Sequence, residues 1–281
     1  MSDKERLKNI KLIASDLDGT LLSNRGEIGD ETKQLIKRLK EKGILFTFAS
    51  GRVHSALSGY SKELDIDIPL ISLDGCLIKN HCADKVLFEA FLSEKYVRKA
   101  LALADKFLLN IALCHSEAIY FTEHNSVIPQ LMDKFGAKYE EVESYRDYVS
   151  NTLEVVIASD SKENVKRIRN KFTFPHARGL SASYFKSQTH RGVYYLEIRK
   201  KGCSKGRALL KLLKNLKLKT NQCAIIGDWY NDISLFEIGA LNVTLANSIP
   251  ELKMKADITT NRSNNEDGVA EFLEMVLKAK N

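Results

Sequence analysis

The chain has 281 residues, 44% hydrophobic and 28% charged, and its 43 basic and 36 acidic residues give a formal net charge of +7. This composition excludes collagen, coiled coil and bulk disorder, and it predicts a globular chain of one large or two modest domains. The lysines are spread over amphipathic helical stretches and form no single basic patch, which argues against a nucleic-acid partner. A charged amino terminus and the absence of a long apolar segment predict a cytoplasmic protein without a membrane partner.

The first third of the chain alternates short apolar runs with amphipathic stretches. Ile10 to Ser15 is predicted as a buried strand, followed by a small hairpin between Leu21 and Ile28 and a helix that Asp30 caps. Two further buried strands are predicted at Ile44 to Ala49 and at Leu70 to Leu73. Each of the three strands ends in a polar turn, which is where α/β proteins place their chemistry.

The last third repeats this alternation, with a helix from Ser204 to Leu216, a strand from Cys223 to Ile226 and a helix from Asn231 to Ile238. Short links between alternating strands and helices predict a doubly wound, Rossmann-like parallel α/β sheet built from residues 1–83 and 193–281. The middle of the chain has longer helices among its strands, so we predict an α+β domain inserted at residues 84–192. Five cysteines, odd in number and without paired spacing, are interpreted as reduced core thiols.

Two acidic residues, Asp16 and Asp18, follow the first predicted strand. In an extended chain both side chains would point to the same side, and a divalent cation or a proton on one of them would relieve their repulsion. Carboxylate oxygens beside a hard cation suggest Mg2+. A plain turn is the alternative, because Asp-Gly is a common turn dipeptide, but the longer pattern from Asp16 to Thr20 after an apolar strand favours chemistry.

A second acidic motif, Gly227 to Asp232, follows another apolar strand. Asp232 could complement a helix dipole. If this strand neighbours the first, Asp228 would complete an oxygen-rich cation site with Asp16 and the backbone carbonyl of Asp18. The indole of Trp229, inside the motif, would either pack under the site or toward the inserted domain, or stack on a base.

Four motifs of the chain resemble, in order, those of the haloacid dehalogenase superfamily, and most closely its Cof-type phosphatases with a type IIB cap between the second and third motifs. The matching segments are Asp16–Thr20, Ser50–Arg52, Lys205–Gly206 and Gly227–Asp232, extended by Asn247–Asp257 and Ser263–Val269. The inserted domain matches by position and length more than by motif.

The resemblance implies a Mg2+-dependent hydrolase of phosphoric monoesters that forms an aspartyl-phosphate. Asp16 would be the nucleophile, and Asp18 would be the general acid and then the base. Asp16, the Asp18 carbonyl and Asp228 would hold Mg2+.

Further residues would support this machinery by the same resemblance. Ser50, Gly51 and Lys205 would bind the phosphate, although singly Ser50 could be a turn residue and Lys205 a surface lysine. The residues implied to hold the metal ligands in place are Asn231, Asp232 and Asp267.

Three residues are candidates for substrate contact, namely Arg52, Asp74 and Asn247. Arg52 could equally lie on a helix surface. Asp74-Gly75 stands where this branch commonly has Asn-Gly, so a negative charge is expected near the phosphate site. The six histidines show no metal-ligand spacing, although His124, His176 or His190 could reach substrate from the inserted domain.

The implied substrate is a small phosphorylated metabolite, with sugar phosphates first and nucleotide, flavin mononucleotide or pyridoxal phosphate next. Two alternatives stay open: a phosphomutase of the phosphomannomutase type, and a regulatory protein that binds metal or phosphate without turnover. The chain is expected to be a monomer or a homodimer, and the cellular substrate depends on side chains whose facing the sequence does not reveal.

Overall fold

The structure, a computed structural model, describes residues 3–83, 85–122, 137–186 and 192–281. The chain divides into two compact units, one of residues 1–51, 58–87 and 204–281, the other of residues 52–57 and 88–203. The predicted domain boundaries, 84 and 192, stay predictions.

The strands are numbered along the chain. Strands β1 to β14 are Leu12–Ser15, Leu45–Phe48, Leu70–Ser72, Leu77–Lys79, Val86–Glu89, Asn110–Cys114, Ile119–Phe121, Tyr139–Glu141, Glu154–Ser159, Leu180–Lys186, Tyr194–Lys200, Cys223–Ile226, Leu241–Thr244 and Ile258–Thr259.

The helices of the described residues, α1 to α9, are Asp3–Asn9, Asp30–Glu41, Ser58–Glu63, Glu94–Lys106, Lys162–Lys171, Lys205–Asn215, Ile233–Phe236, Pro250–Lys253 and Gly268–Lys280. Within those ranges, no helix has both the length and the apolar character needed to cross a membrane.

The first unit is built on a parallel sheet with the strand order β14-β13-β12-β1-β2. Ser15 at the end of β1 pairs in register with Ile226 on one side and Phe48 on the other, so three strands end level. A parallel bridge between Ala49 and Ile71 extends this edge to β3. The predicted doubly wound parallel core is confirmed, and its carboxyl edge carries the polar turns.

The helices of this unit form because their apolar residues repeat on one face. In α2 the residues Leu35, Ile36 and Leu39 are buried, whereas Lys37 and Arg38 are exposed to solvent. The helix begins at Asp30 with Gly29 as its cap residue, so the predicted capping by Asp30 is wrong.

The predicted helix from Asn231 to Ile238 also differs, because a short 3-10 turn, Tyr230–Asp232, precedes the single helical turn α7. Of the cysteines, Cys82 is exposed and Cys203 is half-buried, so the prediction of core thiols holds only for the other three.

The second unit is an α+β layer with a six-stranded sheet in the order β10-β11-β9-β6-β7-β8. Its neighbouring strands are antiparallel except for the parallel pair β7 and β8. Helices α4 and α5 cover the sheet, and alternate strand residues such as Val155, Ile157 and Leu196 form a core with Val97 and Ile168 from these helices.

Gly206, in the first turn of α6, lets this helix lie against α7. A Cβ atom at Gly206 would lie 1.9 Å from the Ser234 carbonyl oxygen, and the Gly206 amide donates to the Ser234 hydroxyl at 3.2 Å. Because Lys205 directly precedes Gly206, this close approach also fixes the position of the Lys205 backbone.

We expect Gly206→Ala to lower the free energy of unfolding by about 2 kcal/mol or more, because the methyl group meets backbone in a packed site. Gly59, in α3, is the matched control: no atom lies within 4 Å of its Cβ position, so Gly59→Ala should raise stability by about 0.5 kcal/mol. Urea unfolding followed by circular dichroism measures both. A Gly206→Ala protein as stable as the wild type would contradict the packing.

Candidate active site

Three polar turns meet at the carboxyl edge of the parallel sheet. Asp16 directly follows β1, Ser50 lies two residues after the end of β2, and Asp228 lies two residues after the end of β12. The Asp16 amide donates to the Ile226 carbonyl at 2.9 Å, so the ladder between β1 and β12 continues into the site. The first and fourth motifs are therefore brought together by strand pairing across more than 200 residues of sequence.

A buried lysine lies between two aspartates at this edge. Lys205 is fully buried, and its Nζ lies 2.6 Å from Asp16 Oδ1 and 2.6 Å from Asp232 Oδ1. Burial lowers the pKa of the Lys205 ammonium, but the charges of Asp16, Asp232 and Asp74 outweigh this and hold the pKa above its usual value. The lysine stays charged, and the alternative of a surface lysine is wrong.

Asp228 is fixed by both acidic motifs. The Thr20 hydroxyl donates to Asp228 Oδ1 at 2.7 Å. A Cβ atom on Gly19, whose φ is +79°, would lie 2.4 Å from Asp228 Oδ2, so only glycine allows the Asp18–Gly19 backbone to pack against this carboxylate. The turn and the carboxylate therefore face each other at contact distance.

Asp232 positions its neighbours on both sides. Its Oδ1 accepts from Lys205, and its Oδ2 accepts the backbone amides of Asp228 and Trp229 at 3.0 and 3.1 Å. Because both oxygens are engaged, Asp232 is better suited to hold Lys205 and the Asp228 loop than to bind a metal ion.

The carboxylates fit a hard divalent cation. One oxygen each from Asp16, Asp228 and Asp232 lies within 4.8 Å of the others, and all three residues are buried. Burial raises the pKa of Asp16 well above its ordinary value and raises that of Asp228 to about 7, with nearby carboxylates adding to both shifts. A bound cation would remove this penalty and keep both groups ionised, and Mg2+ prefers such oxygens, so Asp16 and Asp228 would hold it.

Asp18 differs from Asp16 in its surroundings. Strand β1 ends at Ser15, and the chain then turns, with the Leu22 amide donating to the Leu17 carbonyl at 2.9 Å. Asp16 is buried, whereas Asp18 is exposed to solvent. Two carboxylates two residues apart thus have different access to water.

Asp74 places a further carboxylate at this edge. Its Oδ1 accepts from the Asn231 amide group at 3.1 Å and would lie 3.2 Å from a Cβ atom on Gly51. Its backbone amide donates to the Ser50 carbonyl at 3.0 Å. Leu73 and Asp74 have φ values of +49° and +48°, a left-handed conformation that costs non-glycine residues about 1 kcal/mol or more each.

The remaining predicted residues have distinct places. The Asn247 side chain donates to the Gly19 carbonyl at 2.8 Å, so Asn247 braces the Asp18–Gly19 turn. The Asp267 carboxylate instead accepts from the amide and hydroxyl of Thr32, which caps α2. Arg52 is half-buried in the second unit, and its contact with substrate stays a prediction.

Of the histidines considered for substrate contact, His176 is exposed. The other two, His124 and His190, lie outside the described residues.

Three supporting residues were not predicted individually. Thr20 orients Asp228, Ser234 receives the Gly206 amide, and Asn264 donates its backbone amide to Asn247 Oδ1 at 3.0 Å. Thr20 and Asn264 lie inside two of the motif segments, so their place in the sequence indicated that they lie near the site. Their partners lie far away in the chain and could not be identified from spacing.

The profile of the haloacid dehalogenase-like hydrolases matches residues 13–273. The chain belongs to this family. A haloacid dehalogenase-like hydrolase from Bacteroides thetaiotaomicron has the same fold, with a TM-score of 0.85 at 25% identity over 95% of this chain and 99% of that one.

Relatives of this haloacid dehalogenase-like hydrolase carry names that specify an activity. A 5-amino-6-(5-phospho-D-ribitylamino)uracil phosphatase of Bacillus subtilis is 30% identical over 96% of this chain and 99% of the relative. A second Bacillus subtilis protein with the same activity in its name is 26% identical over 94% of this chain and 96% of the relative. The predicted family and the predicted enzyme class, a hydrolase of the phosphatase type, are confirmed.

We expect Asp228→Ala to weaken Mg2+ binding at least tenfold, because one of the two buried carboxylates that would hold the ion is lost. Asp267→Ala should bind Mg2+ like the wild type but should lose about 1 kcal/mol of unfolding free energy, because the cap of α2 is removed. Isothermal titration calorimetry and urea unfolding measure the two quantities. Equal weakening of Mg2+ binding in both variants would place Asp267 in the metal site after all.

Proposed function

We propose that this hydrolase is a Mg2+-dependent phosphatase of small phosphorylated metabolites that transfers the phosphoryl group to Asp16 and then to water. The observation that carries the proposal is the buried Lys205 held between Asp16 and Asp232, beside Asp228. The Lys205 ammonium opposes the rise in the Asp16 pKa that burial causes and orients the carboxylate, and a nucleophile must be ionised and oriented.

In the first step an Asp16 carboxylate oxygen attacks phosphorus, the new bond to Asp16 forms, and the bond to the ester oxygen breaks. An alkoxide is a poor leaving group, so Asp18 gives it a proton. In the second step Asp18 takes a proton from water, whose oxygen attacks phosphorus and releases the Asp16 carboxylate with inorganic phosphate. The exposure of Asp18 to solvent supports this second role, since the water must reach it.

The charge of the transferring group must be neutralised for an anionic nucleophile to approach it. We assign Lys205, the Ser50 hydroxyl and the Gly51 amide to the phosphoryl oxygens, and they supply positive charge and hydrogen bonds. Mg2+, held by Asp16, Asp228 and the Asp18 carbonyl, would supply further neutralisation when bound. Asn247 would hold the Asp18–Gly19 turn in place during both steps, and Thr20 would hold Asp228.

The substrate belongs to the small phosphate esters, either sugar phosphates or monophosphates that carry a ring. The names of the two Bacillus subtilis relatives support an ester on a five-carbon chain with a pyrimidine attached. A phosphomutase would interconvert such esters without releasing phosphate, and a binding protein would hold them intact. The cytoplasmic location, the oligomeric state and the absence of a nucleic-acid partner stay predictions.

We expect the wild type to release phosphate from a panel of sugar phosphates, nucleotides, flavin mononucleotide and an aryl phosphate, and chelation of Mg2+ to abolish the release. Asp16→Asn should lower kcat at least 1000-fold, because the amide is a far weaker nucleophile. Asp18→Asn should lower kcat about 100-fold or more. Normal turnover in the Asp16→Asn protein would remove the mechanism.

Asp74 should weaken phosphate binding, because its negative charge lies beside Gly51, where it repels a phosphate and attracts the Lys205 ammonium. We expect Asp74→Asn to lower the inhibition constant of inorganic phosphate about fivefold, since a repulsive charge is removed while an oxygen remains for Asn231. Asp74→Glu keeps the charge and serves as the control. Weaker phosphate binding in Asp74→Asn would show that the carboxylate supports the site by another route.

A further inference from the structure

Two large aromatic side chains next to the carboxylate cluster are exposed. Trp229 and Tyr230 follow Asp228 directly in sequence, with 46% and 53% of their surface accessible. Their rings meet edge to face, with centroids 5.3 Å apart and planes at 77°. An exposed aromatic pair beside a reaction site is a surface that a ligand ring can cover.

Hydrogen bonds hold the Trp229 backbone and the Tyr230 hydroxyl, and the indole contacts the held Tyr230 ring. The Trp229 amide donates to Asp232 Oδ2 at 3.1 Å, and the other oxygen of Asp232 holds Lys205. The Tyr230 hydroxyl donates to Glu251 Oε1 at 3.2 Å. A preorganised ring loses little conformational entropy when a ligand stacks on it.

Trp229 is also next to the carboxylate cluster in the chain. Adjacent Cα atoms are about 3.8 Å apart, so Trp229 begins beside the carboxylate assigned to Mg2+. The leaving group of an ester whose phosphorus is at Asp16 must extend away from these carboxylates. Asp232 lies at the Trp229 backbone amide and Glu251 at the Tyr230 hydroxyl, and their negative charge favours an uncharged planar ring over an anionic one.

We infer that Trp229, supported at its edge by Tyr230, is a stacking platform for a planar nitrogen heterocycle carried by the leaving group. The substrate class is then a phosphate ester with such a ring, in preference to a plain sugar or polyol phosphate. The inference rests on the proposed function and reverses the order in which the sequence ranked these substrates.

Flavin mononucleotide and ribitol 5-phosphate provide the test, because both carry a phosphate on a ribityl chain and only the first carries a ring. The ratio of their kcat/KM values is measured by phosphate release in the full-length protein with Mg2+. We expect Trp229→Leu to lower this ratio about fivefold or more and Trp229→Phe to lower it less, since a phenyl face remains. Phe174→Leu removes another exposed ring, 75% accessible in the second unit, and should leave the ratio unchanged.

The outcomes separate the inference from the function on which it rests. A ratio unchanged in Trp229→Leu, or an equal loss on both esters, would overturn the stacking platform and leave the phosphatase intact. Hydrolysis of ribitol 5-phosphate but not of flavin mononucleotide by the wild type would do the same. If the wild type hydrolysed neither ester nor an aryl phosphate, the proposed function would fall, and the inference with it.

Discussion

The site depends on one electrostatic constraint, the burial of the Lys205 ammonium between Asp16 and Asp232. An isolated charge without contact with water is costly, so each of these groups needs the others. Asp232 links this contact to the rest of the site, because its second oxygen fixes the backbone amides of Asp228 and Trp229. A change in any of the three buried groups would therefore disturb Asp16, the Asp228 loop and the aromatic surface together.

Close backbone packing makes this arrangement possible. Gly206 allows α6 to approach the Ser234 carbonyl, which brings Lys205 to the sheet edge, and Gly19 allows the Asp18 turn to lie against Asp228. The same need explains the left-handed backbone at Asp74, which carries its carboxylate beside Gly51. Strain of this kind persists only where surrounding hydrogen bonds hold it, here from the Ser50 carbonyl and the Asn231 side chain.

Much of the core could be predicted because its signals are local. Short apolar runs followed by polar turns indicated β1, β2 and β12, and right-handed crossovers leave few ways to arrange them. The residues Asp16, Asp18, Asp228 and Lys205 could be predicted as site candidates because each lies in a compact motif. Helix ends were predicted less well, since the Asp267 carboxylate binds the first turn of α2 at Thr32, more than 230 residues away in sequence, and no local pattern indicates such a partner.

The sequence by itself determined the fold class, the family and which residue types are available for the chemistry, because strand periodicity and short motifs depend on neighbouring residues. Only the tertiary structure decided the burial and the hydrogen-bond partners of those residues. It buried Asp16 and exposed Asp18, engaged both oxygens of Asp232, moved Asp267 to a helix cap and left Trp229 and Tyr230 uncovered. These outcomes depend on desolvation and on partners distant in the chain, and both exist only once the chain has packed.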